Sequence, residues 1–185
     1  MPTQTAPYGS WKSPLTAGLI ASASIGVGAP LADGADLYWL EMRPLEEGRL
    51  VVVRRSPDGT LTDMLPRPWN VRTRVHEYGG GAFAVVDGTL YFSNFADQRL
   101  YRLDPGSEPR PLTPEVDLRY ADGVVDRRRR LLYCVREDHT GEGEAVNTLV
   151  SLSLDGDEAG GRVLVAGSTF YSTPRLSPDG SHLAW

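Results

Sequence analysis

Leu90-Tyr91-Phe92 is one of four similar short runs whose repetition decides the fold of this chain. The others are Leu37-Tyr38-Trp39, Leu132-Tyr133-Cys134 and Leu183-Ala184-Trp185, so successive runs start 53, 42 and 51 residues apart. An Asp-Gly or Asp-Arg pair, typical of a turn, lies a few residues before each run. A period of about 40 to 50 residues, with four short strands in each repeat, is the signature of β-propeller blades.

The segments around these runs predict an all-β chain with a partial β-propeller of about three and a half four-stranded blades. Short apolar or alternating segments are separated by Gly, Asp and Pro, and no window carries a sustained helical stripe. The predicted division is a leader over residues 1–24 and an incomplete propeller over 25–185, with blades at about 25–66, 82–113, 120–166 and, in part, 170–185. An arc that does not close its ring exposes an apolar blade face and a strand edge, so we expect self-association.

Composition narrows the possible partners and the compartment. The 19 basic and 24 acidic side chains give a net charge of −5, which favours neither nucleic acid nor an anionic membrane as partner. Four consecutive arginines, residues 127–130, are the strongest basic run, and we interpret them as a solvated turn. Cys134 is the single cysteine, so no intrachain disulfide forms. With no signal-peptide pattern at the N-terminus, these features predict a cytoplasmic protein.

Motifs for catalysis or metal binding are incomplete. No Gly-x-Ser-x-Gly nucleophile motif occurs. His76-Glu77-Tyr78-Gly79-Gly80 begins like a zinc-peptidase motif, but Gly80 stands where a second histidine is needed. The sequence therefore predicts no catalytic residue, no metal site and no cofactor in this chain.

One polar segment, residues 69–81, joins the outermost strand of the first predicted blade to the innermost strand of the next. In an extended backbone alternate side chains share a face, so Arg72, Arg74 and His76 are predicted to lie together, followed by Glu77 and Tyr78. Two interpretations stay open. The segment is either a solvated connector whose ion pairs hold blades together, or a lip that faces the substrate.

Three further stretches carry a resemblance to a known family: residues 7–14 (PYGSWKSP), residues 38–44 (YWLEMRP) and residues 70–81 (NVRTRVHEYGGG). They resemble the N-terminal propeller of the prolyl oligopeptidase family, in particular its bacterial acylaminoacyl-peptidase or dipeptidyl-aminopeptidase-like members. The resemblance covers essentially the whole chain.

The resemblance implies a function for a larger protein. Members of this kind combine a propeller with a C-terminal α/β-hydrolase domain that carries a Ser, Asp and His triad, and the propeller admits only short peptides. The expected partners of this chain are therefore the hydrolase domain, the remaining blades and short peptides. The chain itself, without a triad, is expected to be inactive, while Arg72, Arg74, His76, Glu77 and Tyr78 are candidates for contact with substrate. The alternative is a stand-alone propeller-type binding module without hydrolase activity.

Overall fold

The computed structural model describes residues 5–10, 12–22 and 24–185. The predicted leader, residues 1–24, includes residues 1–4, Trp11 and Ala23, which lie outside the described residues, so the resemblance at Trp11 has no structural counterpart here. Within the leader a helix α1 spans Ala17–Ala21, and the Thr16 hydroxyl accepts a hydrogen bond from the backbone N–H of Leu19. A five-residue helix is too short to produce an amphipathic stripe, which is why the sequence pattern did not reveal it.

Fourteen strands are found among the described residues, and they form meanders. They are β1 Gly26–Asp33, β2 Asp36–Arg43, β3 Arg49–Arg55, β4 Leu61–Asp63, β5 Phe83–Val86, β6 Thr89–Ser93, β7 Leu100–Leu103, β8 Arg110–Pro111, β9 Leu118–Asp126, β10 Leu131–Asp138, β11 Val146–Ser153, β12 Arg162–Ala166, β13 Arg175–Leu176 and β14 Leu183–Ala184. A short 3₁₀ helix, Pro44–Glu46, lies between β2 and β3.

These strands build three four-stranded sheets and one pair. The sheets are β1 to β4, β5 to β8 and β9 to β12, each hydrogen-bonded in sequence order and antiparallel, and β13 pairs with β14. The first strands of the sheets, β1, β5 and β9, contact one another in succession, and β13 contacts β9. The predicted fold class, a partial propeller of about three and a half blades, is confirmed.

Apolar side chains alternate across each sheet and fill the spaces between blades. Leu90 and Phe92 of β6 pack toward the first sheet, in a cluster with Tyr38 and Val52. Tyr91, between them in sequence, packs in a second cluster with side chains of the third sheet. β6 therefore contributes to two different interfaces, because successive side chains of a strand point to opposite faces. The Leu-Tyr-Phe type of run, which defines the repeat, thus supplies side chains to the interfaces on both sides of a blade.

Some large apolar side chains of the first sheet remain exposed. They are Val27, Leu31, Leu37, Met42 and Leu61. The predicted exposure of apolar side chains on a blade is thus present, while self-association stays a prediction.

Strand direction divides the molecule into two faces. In a four-stranded meander, neighbouring strands run in opposite directions. One side therefore carries the starts of the first and third strands and the ends of the second and fourth strands. We call this side the linker face, because it carries the segments between successive sheets, residues 64–82, 112–117 and 167–174. The opposite side, which we call the turn face, carries the turns between first and second strands and those between third and fourth strands.

Arginines 127 to 130 occupy the turn face and join four turns of the arc. Their side chains are about half exposed, as a solvated turn predicts, yet each has a defined partner. Arg127 pairs with Asp87 and Asp33, Arg128 donates to the Asp179 carbonyl, Arg129 contacts Asp126 and the Gly180 carbonyl, and Arg130 pairs with Asp155. Exposed pairs are individually weak, but this set spans all the sheets.

Acidification is expected to weaken the ion pairs and hydrogen bonds of the turn face and so to lower the stability of the fold. Burial acts to raise the pKa of Asp126, but hydrogen bonds from the Arg129 guanidinium and from backbone N–H groups outweigh it, so this pKa is lowered. A carboxyl group whose pKa is lower in the folded state than in the unfolded state stabilises the fold at pH values above its unfolded-state pKa, about 3.9. This stabilisation is lost as the pH falls through the folded-state pKa. Urea unfolding from pH 7 to about pH 2 should therefore show the free energy of unfolding falling below about pH 4.

The matched variant for this prediction is Asp126→Asn. It should lower the free energy of unfolding by about 2 kcal/mol at pH 7, because Arg129 loses a charged acceptor. Its loss of stability below pH 4 should be smaller than that of the wild type. An identical acid dependence for the two proteins would contradict the assignment.

Candidate functional site

Residues 64–82 cross the linker face of the second sheet and contribute side chains to two different hydrophobic clusters. Val71 is buried in the cluster between the first and second sheets, whereas Val75, four residues later, is buried in a cluster with Ala121, Val135 and Tyr171. Thr73 is buried between them. The predicted alternation is therefore observed from Val71 to Val75, with apolar or small side chains inward and Arg72 and Arg74 outward. The alternation fixes the segment to the sheets beneath it.

Arg72 and Arg74 share one aromatic ring. Their guanidinium carbons lie 4.8 Å and 4.6 Å from the centroid of the Phe95 ring, which comes from the loop between β6 and β7. The backbone N–H of Arg74 also donates to Gln98 Oε1 at 2.7 Å in the same loop. Neither guanidinium has a carboxylate within ion-pair distance among the described residues. The two arginines thus present unpaired positive charge on the linker face, held in place by cation–π contact.

His76 does not share the exposed face of the arginines, so this part of the predicted arrangement is wrong. The φ angles of His76 and Glu77 are +57° and +64°, which ends the extended backbone and with it the alternation. The His76 side chain is only 8% exposed, and its Nε2 lies 3.0 Å from the Tyr171 carbonyl oxygen. Because a carbonyl only accepts, Nε2 carries the hydrogen and donates. His76 therefore connects the segment before β5 with the segment before β13.

Glu137, at the end of β10, is the centre of the contacts around His76. Its Oε1 accepts from the His76 backbone N–H at 2.7 Å, and its Oε2 lies 3.1 Å from His139 Nε2. Arg119 Nη1 lies 3.8 Å from the same Oε2. This carboxylate is buried, and the sequence analysis did not single it out. Its only sequence signal is a charged residue at the end of an apolar strand.

Glu77 and Tyr78 are exposed on the linker face. Arg119 donates to Glu77 Oε1 at 2.7 Å, and this hydrogen bond lowers the pKa of Glu77. Tyr78 is 81% exposed and its ring lies 5.9 Å from the ring of His76. The five predicted residues therefore form two groups, the arginine pair on Phe95 and the His76-Glu77-Tyr78 turn beside Glu137.

A cleft of about 630 Å³ opens beside that turn. It is lined by His76, Glu77, Glu137, His139, the loop residues 143–147 and residues 167–170. All of these segments lie at the linker face, and the volume is within the range of small-molecule sites. Among residues 5–10, 12–22 and 24–185, no three His, Cys, Asp or Glu side chains are arranged to hold a metal ion.

Comparison with known proteins identifies relatives through solved structures. No family model and no curated protein matches the chain. A crystal structure of puromycin hydrolase matches with a TM-score of 0.85 and 41% identity, over 96% of this chain and 30% of that one. A puromycin-hydrolyzing peptidase of Mycobacterium tuberculosis matches with a TM-score of 0.87 and 41% identity, over 99% and 31% of the two chains. These relatives are prolyl oligopeptidase-family peptidases.

The chain spans about 30% of the length of these solved relatives. A third relative, a mutated puromycin hydrolase complexed with PGG, gives a TM-score of 0.86 and 42% identity over 95% of this chain. The resemblance read from three stretches of sequence is thus confirmed, and the part of the family represented is the propeller portion. Among the described residues no helix has the length and apolar character to cross a membrane.

Proposed function

We propose that this chain is the non-catalytic N-terminal propeller portion of a serine peptidase, in which it controls the access of short peptides to a C-terminal α/β-hydrolase active site. The observation that carries the proposal is 41% identity to peptidases of which the chain spans only about 30%. The clustering of unpaired arginines and exposed aromatic residues on the linker face supports a role for that face in contact with substrate or with the hydrolase domain.

The proposal extends to substrate, compartment and domain division. The names of the relatives suggest hydrolysis of puromycin, an aminoacyl amide, and the resemblance to acylaminoacyl-peptidase-like members suggests short peptides. We place the protein in the cytoplasm, and divide the chain into a leader, residues 1–24, and propeller residues 25–185.

Two groups on the linker face would orient a peptide. Arg72 and Arg74 offer donors without a carboxylate partner, suited to a carboxyl end or a carbonyl oxygen. Glu77 uses Oε1 for Arg119, which leaves Oε2 for an amino terminus. Charged groups at a narrow entrance would favour peptides whose termini match them.

The test uses the full-length protein and two charge-removing variants. Arg74→Ala and Glu77→Ala should each raise KM for a tripeptide by about fivefold, because each removes one charged hydrogen bond at a solvated surface. Their kcat should stay within a factor of two, since neither residue is placed at a reacting bond. Steady-state kinetics with a peptide length series measures both quantities.

The matched controls are Arg55→Ala and Glu108→Ala, which remove the same charges from exposed positions at the turn face. Both should leave KM and length selectivity unchanged. Unchanged kinetics in all four variants would refute a role for the predicted lip.

The second candidate is a propeller-type binding module without hydrolase activity. The exposed Arg72 and Arg74 on Phe95 favour it as well, since arginine and aromatic side chains are enriched at binding interfaces. Fluorophosphonate labelling of the full-length protein distinguishes the two. Covalent labelling supports the peptidase, and its absence supports the module.

A further inference from the structure

Phe95, in the loop between β6 and β7, holds two positive charges against one ring. The guanidinium carbons of Arg72 and Arg74 lie 4.8 Å and 4.6 Å from the centroid of this ring. The two charges are therefore less than about 10 Å apart, roughly one Debye length, and they repel each other. An anion that contacts both groups would offset this repulsion.

The carboxylates that lie near the arginine pair in the chain are engaged elsewhere. Asp97, two residues after Phe95, accepts from the Tyr101 hydroxyl with one oxygen at 2.6 Å, and its other oxygen accepts from a backbone N–H of the same loop at 3.2 Å. Glu77, on the linker, pairs with Arg119 at 2.7 Å. Neither carboxylate is thus an ion-pair partner of the two arginines.

The contact with the ring leaves the hydrogen-bond donors of both arginines free. Cation–π attraction acts on the charge of a guanidinium and consumes none of its five N–H groups. Among the residues that the structure describes, neither guanidinium donates a hydrogen bond. Both groups can therefore donate to one carboxylate, which suits the fork of a guanidinium because it accepts two parallel hydrogen bonds.

Hydrogen bonds fix Phe95 in its place beside the linker. Gln98, only 7% exposed, accepts from the Arg74 backbone N–H at 2.7 Å and donates to the Phe95 carbonyl oxygen at 2.8 Å. The Phe95 backbone N–H donates in turn to the Asn70 carbonyl oxygen at 2.9 Å. The loop and the linker are thus joined before and after Arg72, and the ring stays next to both guanidiniums.

We propose that Phe95 is a positioning residue, which presents Arg72 and Arg74 as a two-guanidinium site for the free carboxylate of a short peptide. The ring keeps both charges close enough to share one carboxylate. Since hydrogen bonds between charged groups are about twice as strong as neutral ones, the site prefers a peptide acid to its uncharged amide. The inference deepens the proposed function and rests on it for the peptide as the source of the carboxylate.

Steady-state kinetics of the full-length protein with trialanine and with trialanine amide test this preference. The two substrates differ only in the charge at the carboxyl end. The wild-type KM should be about fivefold higher for the amide, because one charged hydrogen bond at a solvated surface is lost, and kcat should stay within a factor of about two. Equal KM values for acid and amide would overturn the proposal.

Two variants separate positioning from packing. Leucine keeps apolar volume but has no ring, so Phe95→Leu should lower the amide-to-acid ratio of KM from about five to below about two, with the KM of the amide unchanged. Phe95→Tyr keeps the ring and should retain a ratio above about three. A merely structural role would instead raise KM for both substrates or lower kcat. A ratio that Phe95→Leu leaves unchanged would overturn the positioning role.

Modification by phenylglyoxal, mapped by mass spectrometry on fluorophosphonate-treated full-length protein, gives a readout that needs no turnover and no variant. Arg72 and Arg74 should react, and trialanine should slow their reaction at least about threefold more than trialanine amide does. Arg55, exposed at the turn face, is the internal control and should react equally with and without peptide. Arginines 72 and 74 that do not react in the absence of peptide would be covered by another part of the protein, which would overturn the proposal.

The proposed function and this inference fail separately. Absent fluorophosphonate labelling and absent peptide hydrolysis, in a protein whose Arg72 and Arg74 are still protected by trialanine, would refute the peptidase and leave the carboxylate site. A labelled, active enzyme with equal KM values for acid and amide and no protection would refute the carboxylate site alone.

Discussion

The Phe92→Ala variant is expected to lose about 4 kcal/mol of the free energy of unfolding. Phe92 is fully buried between the first and second sheets. Its ring lies 5.6 Å from those of Trp69, in the linker, and Tyr101, in β7. Truncation to alanine removes these aromatic contacts and leaves a cavity that the flanking strands cannot fill. Urea unfolding followed by tryptophan fluorescence gives the value.

Because Trp69 belongs to the linker, Phe92→Ala should also loosen the segment that carries Arg72 and Arg74. Amide hydrogen exchange across residues 69–75 is expected to accelerate more than exchange in β11, a strand of the third sheet. The control Phe92→Leu keeps most of the volume and should cost about 1.5 kcal/mol. A loss below about 2 kcal/mol for Phe92→Ala would show that this interface is not tightly packed.

The Asp122→Ala variant, which removes the carboxylate, is expected to lose about 3 kcal/mol of the free energy of unfolding. Asp122 lies in β9 at a register shift between β9 and β10, with a φ angle of +58°. Its Oδ1 accepts from the Gly81 backbone N–H at 2.6 Å, and its Oδ2 accepts from the Thr173 backbone N–H at 3.0 Å. One carboxylate thereby holds the segments that lead into β5 and β13 against β9. Each hydrogen bond to a charged group contributes about 1.5–3 kcal/mol.

Two variants separate this role from a general effect of losing an aspartate. Asp122→Asn keeps one acceptor and should recover about half of the stability lost in Asp122→Ala. Asp58→Ala removes a carboxylate that accepts from Thr60 within a single turn, and should cost under about 1 kcal/mol. Thermal unfolding of the three variants in parallel measures the difference. Equal losses for Asp122→Ala and Asp58→Ala would contradict the joining role.

Gly81 explains why the Asp122 contact is possible. A Cβ on Gly81 would lie 2.8 Å from Asp122 Oδ1, so any larger residue would push the carboxylate away. Gly80 and Gly81 are thus required by a close approach to β9, whereas Gly79 has a φ angle of +92° and lies against the Thr73 carbonyl oxygen. The sequence analysis did not predict the contact of Gly81 with Asp122, because the partner lies 41 residues away in the chain.

The strands were largely predictable because their side chains alternate. The predicted four short strands in each repeat agree with the three four-stranded sheets. The same alternation correctly placed Arg72 and Arg74 on one face of the linker. It failed at His76, because a positive φ angle depends on contacts with Glu137 and Tyr171 that no local pattern contains.

The sequence by itself determined the class of fold and the repeat, because these depend on local alternation and on a period that needs no knowledge of distant contacts. Only the tertiary structure decided which charges meet. Glu137 and Arg119 lie opposite each other in β10 and β9, and His76, 61 residues before Glu137, joins them because its segment crosses the same face of the arc. Electrostatic and hydrogen-bond partners depend on distance in space, and folding sets that distance, so the candidate site emerged from the packed sheets rather than from any single stretch of sequence.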